Sequence, residues 1–227
     1  MKKGTLIVFE GTDGSGKSTQ FKLLCDKLQS RGTQFQRLVF PQYSEPSSAL
    51  LRMYLGGEFG SRPTDVNAYA ASTFYAVDRY AAWKKVWGAG YEAGGLVLSD
   101  RYTTSNAVHQ GGKLSQAEQP AFFDWRVDFE YRKLGLPRPD AVVYLDMPTE
   151  QSVRLLRSRE EATHTKADIH EVDTEYLALC RQTALRAAEH YGWQRIPCVD
   201  ERGQIRSIED IHREIWQVLT ARVPSLQ

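Results

Sequence analysis

The chain has 227 residues, 41% apolar and 25% charged, with 29 Lys and Arg against 28 Asp and Glu for a formal net charge of +1. These are globular proportions, and the balanced charge, without a long basic block, argues against a nucleic-acid partner. No apolar run reaches the ~20 residues that cross a bilayer, and Met1-Lys2-Lys3-Gly4 leads straight into a strand pattern with no secretory core. Cys25, Cys180 and Cys198 are odd in number and widely spaced, as expected of reduced thiols in a cytoplasmic protein with no membrane partner.

Thr5–Phe9 is an apolar run that reads as a buried strand, and Gly11-Thr-Asp-Gly-Ser-Gly-Lys17-Ser18-Thr19 follows it. Phe21, Leu23, Leu24 and Leu28 then give a helical period that stops before Gly32. Gln34–Phe40 predicts a second strand, ended by Pro41. Strand, loop, helix and strand in this order open a parallel sheet. Residues 41–65 are turn-rich at both ends, with a short helix around Ala49–Leu55. A long helix is expected from about Val66 to Trp87, broken by Gly88-Ala-Gly90, and Gly95–Asp100 reads as the third strand.

Residues 114–134 are helical and aromatic in pattern, and Leu136-Pro-Arg-Pro139 forces an extended connection. Ala141–Asp146 is the fourth strand, and Thr149–Arg159 opens another helix. From 154 to 175 the chain is densely charged, without an apolar face until Tyr176. Arg195–Val199 predicts a fifth strand, which Pro197 assigns to an edge. Ser207–Asp210 starts a last helix with Ile208, Ile211, Ile215 and Leu219 on one face. The expectation is an α/β fold of the P-loop NTPase type, three-layered, with a five-stranded parallel sheet between helices. It forms one domain over 1–227, with a mobile lid at about 154–175.

The loop fits G-x-x-x-x-G-K-[ST] between a strand and a helix, which is the context a phosphate cradle needs. Backbone N–H groups of Gly11, Thr12, Asp13, Gly14, Ser15, Gly16, Lys17, Ser18 and Thr19 face a triphosphate, and the helix N-terminus adds positive potential. Lys17 reaches the β- and γ-phosphates, and Ser18 takes a place on Mg²⁺. Asp100 ends an apolar strand where a carboxylate can hold that Mg²⁺, with an N-cap or a salt bridge to Arg101 as the plainer role. Arg101 suits a phosphate gripped by two donors. Tyr75 and Arg79 stand four apart on one helix face, a ring beside a guanidinium, for which ordinary helix packing is the better account on spacing alone.

These segments together resemble the thymidylate kinase family: F-E-G-x-D-G-x-G-K-S-T at Phe9–Thr19, ring-x-x-x-Arg at Tyr75–Arg79, and Asp100-Arg-Tyr-x-x-Ser-Asn106 followed by Gln110-Gly111. The likeness extends to Pro139-Asp140 and to the charged segment, and so covers essentially the whole chain. It implies ATP- and Mg²⁺-dependent phosphorylation of dTMP to dTDP by a homodimer. Asp13 would sit near the transferred phosphate and the sugar 3′-hydroxyl. Arg79 and Arg101 would hold the acceptor phosphate, and Tyr75 would stack on thymine beside Phe40. Ser105, Asn106 and Gln110 would line the base pocket. With Gly14 in the loop, the further arginine would come from the lid, where Arg154, Arg157, Arg159 and Lys166 are available. Gln42-Tyr43 and His109 stand where the family usually has an arginine and a tyrosine, with Arg52 as a substitute for the former. His109, titratable near neutrality, puts discrimination against ribose in question.

Two alternatives remain at this stage. A kinase for another nucleoside monophosphate or for a deoxynucleoside is the nearer, and the latter needs a base, for which Glu45 is placed. A GTPase-type switch would use Thr165-Lys-Ala-Asp168 and Asp200-Glu-Arg-Gly203, but their order is reversed and the first follows no apolar strand. For adenine, the loop Asp200–Gly203 is the weak candidate.

Overall fold

In the computed structural model, residues 3–163 and 174–226 are described, with side chains except those of 159–163 and 225. Five strands, β1 (Thr5–Glu10), β2 (Gln36–Val39), β3 (Leu96–Asp100), β4 (Ala141–Asp146) and β5 (Gln194–Pro197), form one all-parallel sheet in the order β2-β3-β1-β4-β5. Consecutive side chains of a strand face opposite sides, and β1 shows it. Leu6 and Val8 enter one core layer, while Ile7 and Phe9 enter the other. On the second face lie α1 (Lys17–Ser30), which contributes Phe21, Leu24 and Leu28, and a C-terminal helix, Ile208–Arg222, which contributes Ile211, Ile215 and Leu219.

The first face is covered by α2 (Ala49–Leu55) and α3 (Ala68–Ala82) on one side. On the other side are α5 (Gln119–Arg126) and α7 (Thr174–Tyr191). Between them in sequence come α4 (Gly88–Glu92) and α6 (Thr149–Thr163), and the C-terminal helix is α8. Pairing fixes the strand ends: Phe9 lies opposite Asp100, Val39 opposite Asp100, and Glu10 opposite Tyr144. The connections leaving β1 and β3 thus emerge at one edge, beside the point where the strand order reverses. Parallel sheets bind ligands at this edge.

Several expectations need correction. Gly88-Ala-Gly90 does not break the long helix, because a π turn, Trp83–Trp87, leads into α4. Helix α7 has no counterpart in the expected elements. The charged stretch also has apolar contact earlier than expected, since Leu156 is buried. The predicted 114–134 helix is α5 followed by a π turn, Val127–Lys133. β5 is an edge strand as Pro197 requires, with Pro197 opposite Asp146.

Candidate active site

Gly16, at φ 81, turns the loop into α1, and the first turn of that helix holds no acidic side chain and no side-chain cap. Its orphan N–H groups are left for an anion. The loop forms one wall of a cavity of about 420 Å³ that all residues from Thr12 to Gln20 line. Met147, Leu155 and Leu156 form a second wall, and Ile205, Arg206, Ile208 and Ile211 a third. Gly14, at φ +77, has no room for a Cβ, which would meet the Ser152 carbonyl oxygen at 2.3 Å. The loop thus packs directly on α6. Asp200–Gly203, the expected adenine neighbour, is a hydrogen-bonded turn just before the Ile205-Arg206 wall, and it does not itself line the cavity.

Lys17 forms an ion pair with Asp100, and the Ser18 hydroxyl lies 3.4 Å from the other carboxylate oxygen. Asp100 therefore pairs with the loop lysine and not with Arg101. Burial pushes the Lys17 ammonium below its ordinary pKa, Arg101 adds repulsion, and Asp100 opposes both. Ser18 and Asp100 together present hard oxygen donors, the chemistry Mg²⁺ takes. Among the described residues no cluster of three or more His, Cys, Asp or Glu side chains converges.

A second, smaller recess of about 60 Å³ adjoins the first, and Asp13 lines both. Its other walls are Pro41, Tyr43, Leu55, Tyr75, Arg101, Ser105, Asn106, His109 and Gln110. Arg101 sits in the left-handed region at φ 64, a strained position for a residue with a side chain. Its guanidinium pairs with Asp13 and with Glu10 (3.3 Å), and lies 2.9 Å from His109 Nε2. Glu10 is fully buried and accepts hydrogen bonds from Thr104 Oγ1, Ser105 Oγ and the Gly11 N–H. A π turn, Asn106–Gln110, widens the chain here, so Ser105, Asn106, His109 and Gln110 share a face.

Burial, and then the Arg101 charge, hold His109 down to about pKa 4. The imidazole is therefore neutral at physiological pH, which corrects the expectation of a group titrating near neutrality. Gln110 is buried, and among the described residues neither polar atom of its amide has a partner.

Not every expected residue reaches these cavities. Arg79 is buried behind the recess: its Nε donates to Glu130 at 2.7 Å, Nη1 reaches the Tyr102 carbonyl at 3.4 Å, and Nη2 has no acceptor among the described residues. Glu130 also accepts from Asn106 Nδ2. Phe40 is buried against Tyr102 and does not line the recess. Arg52 braces the 41–48 loop, its Nη1 donating to the Tyr43 and Glu45 carbonyls. The same loop is tied to Asp78, which accepts from the Gln42 N–H and Ser47 Oγ. Arg154 and Arg157 are exposed on α6 and line neither cavity. Arg159 lies beyond the last described side chain of α6, and Lys166 falls outside the described residues. Sequence reading missed Glu10 and Glu130. Glu10 carried the same signal as Asp100, a carboxylate closing an apolar strand.

A family model described as thymidylate kinase matches residues 9–215. A thymidylate kinase of Mycobacterium tuberculosis (strain CDC 1551 / Oshkosh) is 33% identical over 174 residues, 75% of this chain and 79% of that protein. A probable thymidylate kinase of Pyrococcus horikoshii is 29% identical over 215 residues, 94% of each chain. The solved thymidylate kinase of Candida albicans shares the fold at a TM-score of 0.70 and 18% identity, over 99% of this chain and 94% of that one.

Proposed function

This chain belongs to the thymidylate kinase family, and we propose that it transfers the γ-phosphate of ATP to dTMP, giving ADP and dTDP. The observation that carries this reading is the pair of adjoining cavities that share Asp13, one built on the phosphate loop and one walled by Arg101. Donor and acceptor phosphates bound there would meet at that wall.

ATP lies with its phosphates on residues 11–19, Lys17 following the β- and γ-oxygens. Its base is held between Leu155 and Leu156 on one side and Ile205 and Arg206 on the other. Binding would trade the Lys17–Asp100 pair for phosphate on the lysine and would free Asp100, with Ser18, to hold Mg²⁺. Bound there, it would supply charge neutralisation to the triphosphate. The acceptor phosphate is gripped by Arg101, whose fork Glu10 and Asp13 hold in place. The base stacks on Tyr75, with Gln110 and Asn106 offering amide groups to its edge. Arg79 acts from behind, positioning Asn106 through Glu130.

Attack by the acceptor phosphate needs no general base, because its oxygen is already ionised at neutral pH. Catalysis is in-line positioning plus spread positive charge. Arg157 or Arg159 would complete that charge from a lid at about 154–175 of a single domain, 1–227. Glu45 supports no deoxynucleoside reading: it lies outside the recess and faces Lys85 at 3.7 Å. The guanine-reading Thr165–Asp168 segment lies outside the described residues.

A homodimer is supported by Tyr69, Val77 and Tyr80, exposed apolar side chains at helical spacing on α3, with Val86 beyond them. A cytoplasmic location is supported by three free, buried thiols. Among the described residues no helix is long and apolar enough to cross a membrane.

The test is ADP release with ATP·Mg²⁺ and, separately, dTMP, dUMP, dGMP, dCMP, UMP and thymidine. Turnover preferring dTMP supports the reading. Preference for thymidine or for another monophosphate overturns it.

A further inference from the structure

At the opposite edge of the sheet, where β4 and β5 begin, lies a third cavity of about 190 Å³ that the proposed reaction does not use. Arg126, Arg138 and Arg222 line it, together with Tyr131, Tyr191 and Trp193. Arg126 is 1% exposed, and among the described residues its Nε has no acceptor. Its Nη1 donates to two hydroxyls, Thr103 Oγ1 at 3.1 Å and Tyr131 OH at 3.3 Å. The guanidinium carbon lies 4.7 Å from the Tyr191 ring centre and 5.3 Å from that of Tyr131, over which Arg138 also sits at 5.1 Å.

Among the described residues none of the three arginines forms an ion pair. The one carboxylate in the wall, Asp140, accepts from the Leu6 N–H at 2.8 Å. Glu130, the nearby buried carboxylate, pairs with Arg79. Burial disfavours the Arg126 charge and the field of Glu130 opposes that, but no described carboxylate is in ion-pair contact with the guanidinium, whose near neighbours are ring faces and hydroxyls. Arg138 and Arg222, both exposed, bring two more guanidiniums to the same cavity. An anion there would give all three a shared partner.

We propose that this cavity is a second binding site, distinct from the nucleotide cavities, that takes a phosphate-bearing anion on Arg126, Arg138 and Arg222. Arginine forks match phosphate oxygens in geometry and charge. The site also touches the acceptor recess through one-residue steps. Thr103, which Arg126 holds, precedes the Thr104 and Ser105 hydroxyls that donate to Glu10. Tyr131 follows Glu130, which holds Arg79 and Asn106.

The test fills both nucleotide cavities with a bisubstrate analogue, adenosine and thymidine joined through five phosphates. Inorganic phosphate and, separately, dTTP are then titrated calorimetrically in HEPES at constant NaCl. Uptake of the analogue in the same titration reports the kinase reading independently. One further site per chain is expected, weakened about tenfold or more in an Arg138→Ala/Arg222→Ala variant whose turnover in phosphate-free buffer is unchanged. Binding of phosphate would identify a free anion as the ligand, and binding of dTTP alone a nucleotide phosphate. Absence of any further site, or equal binding by the variant, would overturn the proposal.

Discussion

Arg101 pairs with Asp13 across the partition between the two cavities, from a backbone at φ 64. A side chain held in that conformation, with both ends of its fork engaged, is preorganised for a third, anionic partner. Lysine keeps the charge but has one point donor in place of a planar fork. Arg101→Lys is expected to lower kcat/KM for the acceptor by about 10²–10³-fold, the scale of losing one aimed electrostatic donor. Coupled steady-state assays measure it, and a change within about twofold would deny Arg101 its role.

Glu10 is the support of that arginine, fully buried at the end of β1 and accepting from Gly11, Thr104 and Ser105. Glu10→Gln keeps an acceptor but removes the charge that faces Arg101. Destabilisation of about 2–4 kcal/mol is expected, since the guanidinium then loses one of the carboxylates that offset its burial. Urea denaturation gives the number. A rise in KM for the acceptor larger than that for ATP would separate positioning of Arg101 from a general loss of fold.

The strand–loop–helix at Thr5–Ser30 was legible because an apolar run, a phosphate-loop spacing and a helical period coincide. Helix α7 was not. Its buried face is Tyr176, Leu177, Cys180, Thr183, Ala184, Ala187 and Ala188, so small side chains against a large aromatic core leave little hydropathy contrast. Spacing put Tyr75 and Arg79 on one helix face, but only tertiary structure brings Glu130, 51 residues on, to claim the guanidinium. His109 was read by its ordinary pKa. Burial beside Arg101, a property of the fold alone, makes it a neutral neighbour of that arginine.

Gly14 links the loop to α6. A Cβ there would fall 2.3 Å from the Ser152 carbonyl oxygen and 2.9 Å from Leu156 Cγ, at a φ of +77 that side chains avoid. Gly14→Ala is expected to cost about 1–3 kcal/mol in stability and to raise KM for ATP more than KM for dTMP. The contrast is the diagnostic, because Gly14 and Leu156 line the phosphate-loop cavity and not the recess walled by Arg101. Equal effects on both substrates would mean that the loop moves as one body with Arg101.

His109 gives the enzyme a pH dependence whose sign follows from its depressed pKa of about 4, against an ordinary value near 6.5. Above pH 6.5 both folded and unfolded chains carry a neutral imidazole, and the residue contributes no slope. Below it the unfolded chain takes up a proton that the folded chain refuses, so stability falls as pH drops from 6.5 toward 4. Over that window the loss attributable to this one group is about 3 kcal/mol. Urea unfolding of wild type and His109→Gln at pH 7 and pH 5 isolates it, because the other titrating groups are shared. Wild type is expected to lose more stability than the variant between the two values. In kcat/KM, by contrast, His109 adds no inflection between pH 6.5 and 8, since it stays neutral throughout. An inflection in that range that His109→Gln abolishes would place a proton on the imidazole beside Arg101, against its burial and the positive charge next to it.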